Sequence, residues 1–427
     1  MRSAHILSIS LFVLAACSSA SSNDDTAPGG AEQATKGNAP PSSKETDPPP
    51  PGGGAPRCAT DLTPWLAKLN VPGISAGIVK NGKLACTAVA GMANIEENRP
   101  VTPDTLFCIA SVSKTITATA VMQAVDDGKL SLDTDVSSYL PFKVGVPGCS
   151  KSTVTLRELL THTSSISDNP SLINCPGDCK YGDPLTGTIV TRGGDSPIPL
   201  SKLVPGYLEP GGAYYDAKAN FLTSCPGTTA SYSNMGIVLA GYVAEVALGA
   251  PLEKLTKDRI FTPLGMKETS WRISEIDPSH LAMPYDWTKA GGFKSFGQFG
   301  EADWPDGMLR TSVPELARFL AMFASHGEWG GKTILTKNTA DEMRRVQVPS
   351  LDPDQGLVWF YEDFNDTVTH TLGHDGSDNG VSANMYFDPK DGSGVIVLSN
   401  GMWESTTTQS DEADNLMEAL FTEARTR

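Results

Sequence analysis

The chain has 427 residues, 39% hydrophobic and 19% charged, a globular composition long enough for one large domain with an inserted lobe, or two domains. A formal net charge of −16 argues against nucleic acid and against attachment to an anionic membrane through a basic patch, since both need clustered cations. Beyond the N-terminal segment, no apolar run is long enough to cross a bilayer.

In chain order, Arg2 supplies positive charge, residues 6–14 a short apolar run, and Leu14-Ala15-Ala16-Cys17 a small-residue ending before a cysteine. The run is too short for a mature membrane helix and is read as a targeting segment. It resembles a bacterial lipoprotein signal, which implies removal of residues 1–16 and lipidation of Cys17. The alternative is an ordinary secretory signal with a coincidental cysteine. Ser18, not Asp, follows Cys17, which favours the outer membrane, facing the periplasm or the surface. Residues 17–56 are rich in Ser, Asp, Pro and Gly and lack apolar periodicity, so they are expected to form a disordered tether that buries no core.

The folded part is expected over 57–427. Residues 60–69 read as a short amphipathic helix. Residues 71–80 and 83–90 read as two strands joined by the Asn81-Gly82 turn. Residues 105–127 read as a helix stopped by Gly128. Residues 154–160 lead into Thr161-His162-Thr163-Ser164-Ser165. Residues 169–224, rich in Gly, Pro and Asp, read as loops that shape substrate access. Helices are expected over 234–248 and 314–326, strands over 357–362, 382–388 and 394–399, and a closing helix over 411–427. This order predicts an α/β (α+β) fold. One mostly antiparallel sheet is built from both chain ends, flanked by helices on both faces, with a mostly helical lobe inserted over residues 135–350.

After Cys17 come Cys58, Cys86, Cys108, Cys149, Cys175, Cys179 and Cys225. An exported chain makes disulfides plausible, and the odd count leaves at least one unpaired or paired elsewhere. Cys108, in an apolar run, is the expected odd one. Cys175 and Cys179 lack a partner Cys/His pair at zinc spacing, so a disulfide or a free thiol is read there, and no metal. The remaining connectivity is left open.

Three short motifs carry chemistry. Ser111-x-x-Lys114 places a hydroxyl and an amine on one helical face. A serine is a weak nucleophile until a base takes its proton, and a poorly solvated lysine can serve as that base. Tyr232-Ser233-Asn234 precedes a helix, and His374-Asp375-Gly376-Ser377 precedes a strand. In this order and at these separations, they resemble the serine β-lactamase and penicillin-binding-protein superfamily. The likeness is to the branch of class C β-lactamases, D-alanyl-D-alanine carboxypeptidases, D-aminopeptidases and related esterases. It runs from about Cys58 to the C-terminus. Lesser matches are Thr105-Leu106-Phe107, Leu159-Leu160-Thr161-His162-Thr163-Ser164, Pro263-Leu264-Gly265-Met266 and Gly307-Met308-Leu309-Arg310-Thr311-Ser312.

The resemblance implies acyl transfer to water through Ser111. Lys114 accepts or steers the serine proton, and Tyr232 shuttles it, as phenolate beside the ammonium if the cation lowers its pKa. Which of the two is the base stays open. Asn234 is expected to bond the substrate amide and Lys114. The backbone N–H groups of Ser111 and Ser377 form an oxyanion hole, with Gly376 admitting the substrate. His374 stands where the family often has lysine, and Asp375 where Thr or Ser often holds a substrate carboxylate. This favours an ester or an amine-bearing amide over a β-lactam or a peptide ending in D-Ala. The expected partner is a small ester, amide or peptidoglycan peptide, and no cofactor or metal is expected. A class C-like β-lactamase and an inactive envelope-binding lipoprotein are the rival functions. Gly73-Ile74-Ser75-Ala76-Gly77 matches a nucleophile elbow, but it sits inside an apolar strand-like run, so an α/β-hydrolase using Ser75 and His374 is a distant rival. His162 is read as part of a structural turn.

Overall fold

Asn81 and Gly82 both adopt positive φ, 52° and 68°, as a tight hairpin turn of this kind demands. They join β1 (Gly73–Lys80) to β2 (Lys83–Asn94), which pair from Lys80↔Lys83 back to Gly73↔Gly91. The computed structural model describes residues 54–173, 190–403 and 406–427. Five further strands complete the main sheet: β3 (Arg99–Pro100), β4 (Phe360–Phe364), β5 (Val368–Asp378), β6 (Val381–Phe387) and β7 (Gly394–Ser399). Their order is β4-β5-β6-β7-β1-β2-β3, and every neighbouring pair is antiparallel. The sheet is therefore closed in its middle by β7 against β1, from opposite ends of the chain, with Ile74↔Ser399 and Ile78↔Val395 in register.

Alternation along the strands sends successive side chains to opposite faces. Ile74, Ala76, Ile78, Val395 and Val397 meet helices α1 (Thr63–Leu69) and α7 (Thr407–Thr426) on one face. Ala383, Met385, Ile396 and Leu398 join the larger core on the other face, with α2 (Ser113–Asp126), α5 (Asn234–Leu248) and α6 (Val313–Ala324). Gly77 lets α6 settle on β1, because a Cβ there would lie 2.4 Å from a Val313 methyl. Ser75 is a fully buried strand residue. No substrate can reach it, which removes the nucleophile-elbow rival.

The structure corrects four local expectations. The helix over 105–127 begins only at Ser113. Phe107–Cys108 is instead a short strand paired with Arg310–Thr311, and Ala110–Val112 is a 3₁₀ turn. The 169–224 segment holds a real helix, α4 (Leu200–Leu208), packed by Leu203, Val204 and Tyr207. Strand β4 starts at Phe360, because Val358 takes a positive φ of 70°. His374 to Ser377 lie inside β5 rather than before it. Disulfides join Cys58 to Cys86 and Cys149 to Cys225, and Cys108 is free and buried, as expected. Cys17, Cys175 and Cys179 lie outside the described residues.

Candidate active site

Ser111 sits in the 3₁₀ turn that feeds α2, and Lys114 in the first turn of that helix. Ala110, just before the serine, is held at φ 43°, a strained conformation for a residue with a side chain. The turn is pressed against β5. A Cβ on Gly376 would fall 2.5 Å from the Ile109 carbonyl oxygen and 2.8 Å from the Ser111 nitrogen. Glycine at 376 thus admits the nucleophile turn itself, a different approach from that of the substrate expected from sequence.

Tyr232 and Asn234 arrive on the segment that starts α5. The Ser233 hydroxyl caps that helix by accepting from the Gly236 N–H at 2.9 Å. The Asp168 carboxylate accepts from the N–H groups of Asn234 and Met235, both at 2.9 Å. Burial pushes Asp168 up to about 6 despite those two bonds.

Three of the residues singled out by sequence meet. Lys114 Nζ donates to Ser111 Oγ at 2.8 Å and lies 5.0 Å from the centroid of the Tyr232 ring, so the hydroxyl, the amine and the phenol ring are gathered in one place. Lys114 is fully buried, whereas Ser111 and Tyr232 are partly exposed, so the hydroxyls are open to solvent and the amine lies behind them. Lys114 also donates to the Asp306 backbone oxygen at 2.9 Å and lies 3.3 Å from the Asp306 carboxylate. Burial works to lower the lysine pKa, but Tyr232 and Asp306 outweigh it and the net shift is upward. Burial also pushes the Tyr232 phenol up, more than Lys114 pulls it down. Both shifts are upward, and which of the two groups takes the serine proton stays open.

The other residues are placed differently. Asn234 Oδ1 is buried without a hydrogen-bond partner, and the expected bond to Lys114 is absent among the described residues. Asp306 holds the lysine instead. His374 is 1% exposed, with its ring 5.0 Å from Phe360 and 6.3 Å from Tyr232. It backs the crevice wall rather than opening to substrate. Burial and the Lys114 charge push it down to about 3, so it is neutral. Ser377 follows Gly376 on β5 and is partly exposed.

Sequence reasoning missed an acidic wall. Glu301, Asp303 and Asp306 bring carboxylate oxygens within 4.8 Å of one another. Burial pushes all three up. Asp378, on β5, rises to about 6, mainly through burial, with Asp306 adding repulsion. The signal for Asp306 was at hand, since it directly precedes the Gly307-Met308-Leu309-Arg310-Thr311-Ser312 match.

An antiparallel sheet covered by helices on both faces, with a Ser-x-x-Lys turn, a Tyr-x-Asn segment and a glycine-bearing strand converging on one crevice, defines the serine β-lactamase and penicillin-binding-protein superfamily. A family model described as Beta-lactamase matches residues 59–417, and the chain belongs to that family, whose members are serine hydrolases. Penicillin-binding protein 4 of Amycolatopsis lactamdurans is 28% identical over 345 residues, covering 78% of this chain and 81% of that protein. Protein flp of Staphylococcus aureus (strain MW2) is 25% identical over 336 residues, 78% of this chain, which spans 61% of that relative's length. Among solved structures, the octameric penicillin-binding protein homologue from Pyrococcus abyssi superposes with a TM-score of 0.64 at 25% identity, over 84% of this chain and 75% of that one. D-amino acid amidase from Ochrobactrum anthropi SV3 gives 0.64 at 21% identity, over 84% and 96%, a likeness of fold.

Proposed function

We propose that the protein is an acyl hydrolase of the bacterial cell envelope, anchored by lipid at Cys17, that cleaves an ester or amide bond with no free carboxylate beside it. The observation that carries this reading is the Lys114 amine bonded to the Ser111 hydroxyl at 2.8 Å, with the Tyr232 ring centroid 5.0 Å from that amine. For catalysis the ammonium–phenol pair first releases one proton to solvent. The remaining amine–phenol or ammonium–phenolate pair takes the Ser111 proton as Oγ bonds to the carbonyl carbon. The backbone N–H groups of Ser111 and Ser377 hold the oxyanion, and the N-terminus of α2 adds its dipole. When the carbonyl reforms, the bond to the leaving oxygen or nitrogen breaks, and the pair returns the proton to it. Water then repeats the sequence on the acyl-serine and releases the acid.

Substrate choice follows from charge. A neutral His374 offers no cation to a substrate carboxylate, while Asp375 and Asp378 stand on the same strand. A carboxylate brought there meets repulsion from that strand, and the Lys114 ammonium is already engaged by Asp306. Neutral esters and amine-bearing amides carry no such penalty.

The test is a substrate panel on the purified protein: a short p-nitrophenyl ester, a D-amino acid amide, a D-Ala-D-Ala peptide and a cephalosporin. Ester or amide turnover is expected, falling about 10³-fold or more in Ser111→Ala. Rapid cephalosporin turnover with the ester and amide untouched overturns the substrate reading. Absence of Ser111-dependent labelling by a fluorophosphonate indicates a binder without chemistry.

A further inference from the structure

Tyr232 is the most exposed member of the catalytic trio to misplacement. It hangs on an irregular segment, 221–233, between the Cys225 disulfide and the start of α5. Its two chain neighbours, Ser231 and Ser233, are both held by one residue from another part of the chain. The backbone carbonyl of His162 accepts from the Ser231 N–H at 2.8 Å. Its ring Nδ1 accepts from the Ser233 N–H at 3.2 Å. These are the residues on either side of Tyr232. Between the two bonds the imidazole lies against the phenol ring, with centroids 4.4 Å apart and planes inclined by 31°.

The local fold makes this grip possible. The Thr155–Glu158 capping box starts α3 (Leu156–Leu160), and the chain leaves that helix through His162 at φ 56°. That left-handed conformation turns carbonyl and ring toward the same neighbour. The turn is also laced to the 221–233 segment by Gly227 N–H donating to the Thr163 oxygen at 2.8 Å and Leu222 N–H to the Ser165 oxygen at 2.9 Å. Ser233 passes the hold onward, because its hydroxyl caps α5 while its N–H is bound to His162.

We propose that His162 is a positioning residue for Tyr232, gripping the backbone on both sides of it and stacking on its ring so that the phenol stays on Ser111 and Lys114. This rests on the reading that Ser111 is acylated with Tyr232 in the proton path. The imidazole serves in one protonation state. Because Nδ1 accepts, Nε2 carries the proton, and that nitrogen is buried with no hydrogen-bond partner. Burial, together with Lys114 and His374, pushes His162 down to about 3, so it stays neutral wherever the enzyme works.

The test is a double-mutant cycle read by the rate of fluorophosphonate labelling of Ser111, with folding checked by circular dichroism. His162→Phe keeps a ring but loses the acceptor for Ser233. His162→Asn keeps an acceptor at the Nδ1 position and tolerates the left-handed φ, but lacks the ring. His162→Phe is expected to slow labelling about 10- to 100-fold, as sub-ångström misplacement of a proton-transfer group does, and His162→Asn less. In a Tyr232→Phe background each is expected to add no more than about twofold, because the group they position is gone. Equal losses in both backgrounds, or no loss with either variant, overturn the proposal. His162→Asn carries the cycle by itself if His162→Phe does not fold. Labelling that survives Ser111→Ala instead signals failure of the underlying reading, a distinct result.

Discussion

Lys114 has no contact with water, and such a lysine ordinarily sheds its proton. It keeps the proton because Asp306 offers it both a backbone oxygen and a carboxylate, and Tyr232 lies beside it. The sign of a consequence follows. Asp306 raises the lysine pKa, so Asp306→Asn lets the pair lose its proton at a lower pH. The rising limb of kcat/KM against pH, where the pair becomes a base, is expected to move down by about one pH unit. A limb that stays in place means that Asp306 itself is uncharged in the resting enzyme. At this scale the sequence was half legible. Ser111 and Lys114 could be named because their types and spacing state their chemistry, and Tyr232 through the resemblance of the three motifs taken together. Asp306 was marked only by its place before the Gly307–Ser312 match and Asp168 by nothing, since an acid acquires its role from what folding sets beside it: a lysine 192 residues away in one case, a helix start in the other. Asn234 and His374 were named, yet their expected contacts differ, because burial rather than motif decides which atoms are open.

Elements followed the same division. Helix α5 was read at its observed bounds, 234–248, because Ser233 caps it and Gly249 ends it in the left-handed conformation, both local signals. The strand at Phe107–Cys108 was lost inside a presumed helix, since its partner Arg310–Thr311 is remote in sequence. Helix α4 was missed because Pro205 and Gly206 lie within it, and buried Leu203, Val204 and Tyr207 outweigh those breakers. The closing helix α7 does more than cover the sheet. The Glu423 carboxylate near its end accepts from the N–H groups of Ala59 and Thr60, both at 2.8 Å, and from the Thr60 hydroxyl at 2.7 Å. Burial alone raises a carboxyl, but these bonds and Arg427 win and draw Glu423 from 4.5 to about 2. A depressed folded-state pKa stabilises above 4.5, and that stability is lost as pH falls toward 2. Glu423→Gln is therefore expected to unfold at a lower temperature than the parent at pH 7, with the gap closing near pH 2. A gap independent of pH means that the carboxylate charge contributes nothing.

The whole molecule bears on where it works. Two described disulfides, Cys58–Cys86 and Cys149–Cys225, close loops of 28 and 76 residues, and the second secures the segment that carries Tyr232. Bridges of this kind form in oxidising compartments, outside the cytoplasm. The charge of −16 supplies no basic patch for holding the protein to an anionic bilayer. Under the proposed envelope role another tether is needed, and Cys17 with the proline-rich stretch after it is the one proposed. A single acyl chain holds a protein only marginally, so the reading requires the multiple chains of a lipoprotein anchor. The full chain expressed in a bacterial host fed labelled palmitate is expected to take up label and sediment with membranes. Cys17→Ser is expected to lose both label and sedimentation, while the Cys149–Cys225 bridge still forms wherever export continues. Unlabelled soluble parent protein, or label that persists in Cys17→Ser, removes the anchor and leaves the hydrolase reading standing by itself.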